Sequence, residues 1–204
     1  MNPRPINRNL LAEIISWLFF PPLVATVFFI FLIFWYSNDL NQGLRWLVAI
    51  APFMIFAPLI FFAVSYKLKW ISDIDLSHRE ERPGFLTVFI ISLAIASFLL
   101  YLLKVPLKFF VFAFSGLVMV CNASGITLYW KISFHTAVVT SVITAIVILG
   151  GWIFAPMYLL VLLIAWARVR LKRHTVLQVV GGALLAFVIT VIIFYLFGFN
   201  ILEA

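Results

Sequence analysis

Charge is what this sequence has least of: 10% of its 204 residues are Asp, Glu, Lys or Arg, against about 25% in an average globular chain. With 66% of residues hydrophobic and a mean hydropathy of +1.20, a water-soluble domain is excluded. Cysteine occurs once, as Cys121, which rules out an intrachain disulfide and a cysteine-based metal cluster. Low-complexity tracts, heptads, internal repeats and linker-like stretches are also missing, so residues 1–204 are expected to form a single integral membrane domain.

Long uncharged runs are abundant. A hydrocarbon core about 30 Å thick needs roughly 20 apolar helical residues. Four runs qualify directly: Ile14 to Tyr36, Trp46 to Tyr66, Phe85 to Leu103 and Phe109 to Trp130. Phe134 to Ala167 is uncharged for 34 residues, which as one helix would reach about 51 Å. The Gly150-Gly151 pair at its middle divides it into spans over 135–149 and 152–167. Val176 to Leu202 completes the set. Backbone polar groups in lipid must satisfy one another, so runs apolar all round are helices. The fold class is thus all-α, a polytopic transmembrane helix bundle of about six to seven spans. The first run is too long for a cleavable signal and is expected to remain as an anchor. Tryptophans near the run ends predict an aromatic belt, and the 23 phenylalanines predict lipid-facing bulk. Pro21-Pro22, Pro52 and Pro58 predict kinks, and Gly181-Gly182 a close helix approach.

With seven crossings, one face collects Arg4, Arg8, Lys67, Lys69, Arg79, Arg82, Lys131, Arg168, Arg170, Lys172 and Arg173, while the other has Arg45, Lys104 and Lys108. The bias predicts that the N-terminus and the basic face are cytoplasmic, in a cell membrane. Arg79, Arg170, Lys172 and Arg173 are explained by topology and anionic headgroups. Membrane lipids are the expected partners; nucleic acid is not.

All three histidines, His78, His135 and His174, fall on the basic face. His78 sits among Asp73, Asp75, Glu80 and Glu81, which balance the nearby arginines, and is expected to be solvated. Ser133 to His135 and His174 to Gln178 begin spans, and helix N-termini seat anions through free N–H groups and the dipole. Arg82 and Arg168 add guanidinium forks that match phosphate oxygens. Two histidines allow one to attack phosphorus while the other protonates the leaving oxygen. His174 and Gln178, four apart, share a helix face, so the amide can orient the ring. Arg168 and His174, six apart, meet at one ligand only if residues 169–173 turn.

Ser133-x-His135 and Arg168-x5-His174, with Arg82-Pro83 upstream, resemble the three signature motifs of the type 2 phosphatidic acid phosphatases, the membrane branch of the acid phosphatase and vanadium haloperoxidase superfamily. The resemblance covers about residues 67–190. It implies that His174 is the nucleophile, forming a phosphohistidine, and His135 the general acid, with Arg82, Ser133 and Arg168 on phosphate oxygens and no metal or other cofactor. Three positions depart from the family pattern. Asp75 stands where the first motif has lysine, so Lys131 or Arg79 would supply that cation. Phe134 replaces the glycine of the second motif, and Gln178 replaces the aspartate that orients the nucleophile in the third. The expected activity is hydrolysis of a lipid phosphate or diphosphate, phosphatidate-like or polyprenyl. The alternatives are a catalytically silent protein of the same fold that binds phospholipid or a protein partner, and a lipid phosphotransferase.

Overall fold

The computed structural model describes residues 9–72 and 78–203, with the backbone alone at Arg79 and Glu203. Arg4, Arg8, Asp73 and Asp75 lie outside the described residues, as does the Arg79 side chain. The helices are α1 (Leu10–Leu18), α2 (Pro21–Tyr36), α3 (Leu40–Ala51), α4 (Ala57–Lys67), α5 (Arg82–Leu102), α6 (Leu107–Thr127), α7 (Phe134–Gly150), α8 (Tyr158–Arg170) and α9 (Val176–Leu196). No strand occurs among the described residues. Six helical stretches are long and apolar enough to cross a membrane, counting α1 with α2, α3 with α4, and α8 with the short turn before it; α7 is a shorter apolar helix. The chain is an integral membrane protein with an all-α bundle fold.

Each break has a local cause. The first run bends at Phe19 and Phe20, because Pro21 and Pro22 supply no N–H to continue α1 but suit the first turn of α2. The second run starts at Leu40 rather than at Trp46, since Asp39 caps α3 by accepting the Gln42 N–H at 2.8 Å, which draws Arg45 into the helix. Pro52 opens a π-helical turn, Pro52–Phe56, between α3 and α4, and Pro58 lies in the first turn of α4. Gly151, at φ 104°, makes the turn after α7 that the glycine pair predicts.

Packing corrects two expectations. Trp46 is buried against Phe109 rather than in an interfacial belt, although Trp17, Trp35, Trp70, Trp130, Trp152 and Trp166 are exposed. Nor is phenylalanine only lipid-facing bulk: Phe28, Phe29, Phe109, Phe112 and Phe194 form the centre of the main core. The most extensive helix pairing is that of α7 with α9. Gly182 permits this approach, because a Cβ there would collide with the Ser133 carbonyl and lie 2.9 Å from Thr136 Oγ1. Thr136 closes the same junction by donating to the Val179 carbonyl at 2.9 Å.

Candidate functional site

The helix ends bring the sequence-predicted side chains to one end of the bundle. Arg82 opens α5, His135 lies in the first turn of α7, Arg168 lies in the last turn of α8, and His174 sits in the loop before α9. All four are buried, and all four line one cavity of about 550 Å³. The remaining wall is almost wholly apolar and comes from α2, the π turn, α4, α5, α6 and α7. Along α5 the lining runs from Arg82 through Phe85, Leu86 and Phe89 to Leu93. Eleven residues of helix are about 16 Å, so the cavity has a cationic mouth and an apolar trough reaching roughly half the hydrocarbon depth.

The turn demanded between Arg168 and His174 is present. After Arg170 the chain closes with Lys172 N–H on the Val169 carbonyl at 2.9 Å and Arg173 N–H on the Arg168 carbonyl at 3.1 Å, with Lys172 left-handed at φ 56°. These are the two bonds of a Schellman motif, with lysine where glycine is usual. The reversal returns His174 toward Arg168, whose carbonyl also accepts the His174 N–H at 3.4 Å. Lys131 Nζ donates to the Arg173 carbonyl at 3.2 Å, which fastens the turn to the segment before α7.

His174 Nδ1 lies 3.2 Å from Gln178 Oε1. That oxygen also accepts the Thr175 backbone N–H at 3.1 Å as part of a capping box, so it is an acceptor and the ring must donate from Nδ1. Nε2 then carries the lone pair. Burial first, then the charges of Arg168, Lys131 and Arg82, push the His174 pKa from 6.5 down to about 3, against the opposing Gln178 hydrogen bond. The ring is therefore neutral and nucleophilic near pH 7.

His135 is 5% exposed, and its Nε2 is buried with no hydrogen-bond partner among the described residues. The Ser16 backbone lies near enough to act on the ring as a hydrogen-bond partner, and Phe20 lies beside the ring with centroids 6.2 Å apart. Arg82 Nη1 reaches the Ile132 carbonyl at 3.4 Å, and Arg168 Nη1 donates to Ser16 Oγ at 2.6 Å. Both arginines bear electrostatically on both imidazoles.

Other predicted residues lie elsewhere. Ser133 is fully buried outside the cavity wall, where its hydroxyl caps α7 by accepting the Thr136 N–H at 3.4 Å and its own N–H goes to the Gln178 carbonyl at 3.1 Å. Phe134, in place of the motif glycine, is part of the wall. Lys131 is not part of the wall but lies close enough for its charge to act on His174. His78 is exposed, as expected for a solvated loop residue. Among the described residues, no three His, Cys, Asp or Glu side chains gather as a metal site requires. Ser16 was not signalled by any motif; it is a single hydroxyl in the apolar stretch between Glu13 and Thr26. No family model, curated protein or solved structure matches the chain.

Proposed function

We propose that this chain is a membrane phosphohydrolase that removes phosphate from a lipid phosphate or diphosphate through a phosphohistidine. The observation that carries the reading is the joining of two buried arginines and two buried histidines to a 16 Å apolar trough (about 1.5 Å per residue over eleven residues) in one cavity. A lipid's tail fits the trough while its headgroup meets the guanidinium forks of Arg82 and Arg168.

In the first step His174 Nε2 donates its lone pair to phosphorus, and the bond from phosphorus to the lipid oxygen breaks. The departing oxygen takes a proton from His135 Nε2. That proton arrives with the substrate, because a phosphate monoester has a second pKa near 6 and can bind as the monoanion. In the second step His135 Nε2 accepts a proton from water as the water oxygen attacks phosphorus, and the bond to His174 breaks. Inorganic phosphate takes that proton from His135 and leaves as the monoanion, and both rings are neutral again. Lys131 adds positive potential at His174. The 11 to 3 distribution of Lys and Arg supports a cytoplasmic mouth and N-terminus.

The test is phosphate release by detergent-purified protein from phosphatidate, phosphatidylglycerol phosphate, sphingoid phosphate and prenyl diphosphates, with EDTA present and beside His174→Ala. EDTA-resistant release that His174→Ala abolishes is expected. A folded protein that releases phosphate from none of them overturns the reading. One observation favours a second reading, a silent phospholipid-binding protein: Gln178 Oε1 is shared with the Thr175 N–H, and a neutral amide stabilises a positive ring less than a carboxylate.

A further inference from the structure

Helix α1 carries no motif, yet one of its residues meets both arms of the site. Ala12 and Ile15 pack with Ile164 and Ala167 of α8, so α1 is registered against the helix that bears Arg168. On that same face Ser16 is buried, and its hydroxyl accepts the Arg168 Nη1 proton at 2.6 Å, within the short range of charge-assisted bonds.

Its carbonyl is released by the helix end. An α-helical carbonyl at Ser16 would take the Phe20 N–H, but Phe20 bonds the Trp17 carbonyl at 3.2 Å instead. The next residue, Pro21, has no N–H to offer. A helix end leaves such carbonyls to other donors, and the His135 ring lies near enough for the Ser16 backbone to act on it as a hydrogen-bond partner. His135 lines the cavity, and its Nε2 is buried without a hydrogen-bond partner among the described residues.

We propose that Ser16 is a positioning residue for oxyanion binding and transfer: its hydroxyl holds the Arg168 guanidinium in place, and its carbonyl, freed at the end of α1, orients His135. The role in transfer rests on the phosphohydrolase reading; the role in oxyanion binding does not. An alanine at this position removes the hydroxyl and keeps the carbonyl, so the two arms separate. Binding through Arg168 weakens, while proton transfer through His135 persists.

The experiment compares full-length wild type, Ser16→Ala, Ser16→Thr and Ser115→Ala. The last is a control, since Ser115 is a buried serine whose hydroxyl bonds only within its own helix, to the Phe112 carbonyl at 2.8 Å. Orthovanadate affinity is measured by calorimetry in detergent, and kcat, KM and the pH profile of phosphate release are measured on the best substrate. Ser16→Ala is expected to weaken vanadate binding about tenfold, as loss of a hydrogen bond to a charged group does. KM should rise in parallel with the pH profile unmoved, Ser16→Thr should recover most of the loss, and Ser115→Ala should match wild type. A vanadate affinity for Ser16→Ala equal to wild type overturns the proposal, whether or not the protein hydrolyses any lipid. So does wild type that binds no vanadate. Ser16-dependent vanadate binding by wild type that releases no phosphate upholds the binding role of Ser16 and overturns the hydrolase.

Discussion

Gln178 Oε1 accepts hydrogen bonds from two directions, from His174 Nδ1 at 3.2 Å and from the Thr175 backbone N–H at 3.1 Å. One side chain thus closes the capping box of α9 and sets the tautomer of the candidate nucleophile. Glutamate is the other residue that completes a capping box, so Gln178→Glu keeps both bonds and adds a negative charge beside the ring. That charge offsets Arg168, Lys131 and Arg82, so the His174 pKa should rise from about 3 toward its ordinary value. Phosphate release should increase by about tenfold, because a carboxylate stabilises the ring when it turns positive. Gln178→Ala removes the side-chain half of the capping box and leaves the Thr175 hydroxyl on the residue-178 N–H, at a cost of about 0.5–1 kcal/mol, and should lower both Tm and turnover. Equal turnover in all three proteins would mean that the amide serves α9 alone.

The lowered His174 pKa also predicts how stability depends on acid. In the folded protein the group titrates near 3 and in the unfolded chain near 6.5, so between these values the unfolded state binds more protons. The stability contributed by the neutral ring is complete above about pH 6.5 and is lost as pH falls toward 3. At about 1.4 kcal/mol per unit, the loss from this one group by pH 4.5 is about 2–3 kcal/mol. His174→Asn, which does not titrate, should show a shallower fall of Tm between pH 7 and pH 4.5 in detergent. Parallel curves for the two proteins would contradict the burial and charge that push the group down.

The bundle was legible in the sequence because lipid imposes a simple rule: an uncharged run must be helical, and its length gives the crossing. Gly150-Gly151 and the turn between Arg168 and His174 followed from the same reasoning, one from helix length and the other from face geometry. Trp46 and the core phenylalanines were not legible, since hydropathy does not tell a lipid-facing aromatic from one buried between helices. At the site, Arg82, His135, Arg168 and His174 stood out because polar groups are rare in such a chain. Ser133 was visible for the same reason, although the structure uses its hydroxyl as a helix cap. Ser16 was hidden: its link to the site depends on a carbonyl freed by Pro21 and on α1 lying along α8, and neither leaves a spacing in the chain.

Gly182 is the position where the smallest change should do most damage to the mouth. A Cβ there meets the Ser133 carbonyl and Thr136 Oγ1, both held in the first turn of α7, so neither can move aside alone. Gly182→Ala should cost about 1–3 kcal/mol as overpacking and should weaken orthovanadate binding by displacing His135. Gly125, exposed on α6 with nothing within 4 Å of a Cβ, is the control. Gly125→Ala should be neutral or stabilising by up to about 1 kcal/mol, as expected for glycine in a helix. Melting curves of both variants decide the matter, and a Gly182→Ala protein as stable as Gly125→Ala would show that α7 and α9 can separate freely.

Gly116 offers a way to shorten the trough without touching the mouth. It lines the cavity from α6, and a Cβ there meets nothing within 4 Å. Leucine at this position projects into open volume and improves helix propensity by about 1 kcal/mol, so Gly116→Leu should fold at least as well as wild type. The side chain competes with a lipid tail for space, while Arg82, His135, Arg168 and His174 are unchanged. Long-chain lipid phosphates should therefore lose about 4- to 15-fold in kcat/KM, since a blocked apolar pocket forfeits the burial of one or two methylenes at about 0.8 kcal/mol each. Short-chain substrates and orthovanadate should keep their wild-type values. A uniform loss across chain lengths would place the tail elsewhere on the protein, and no loss at any length would mean that the trough holds no part of the substrate.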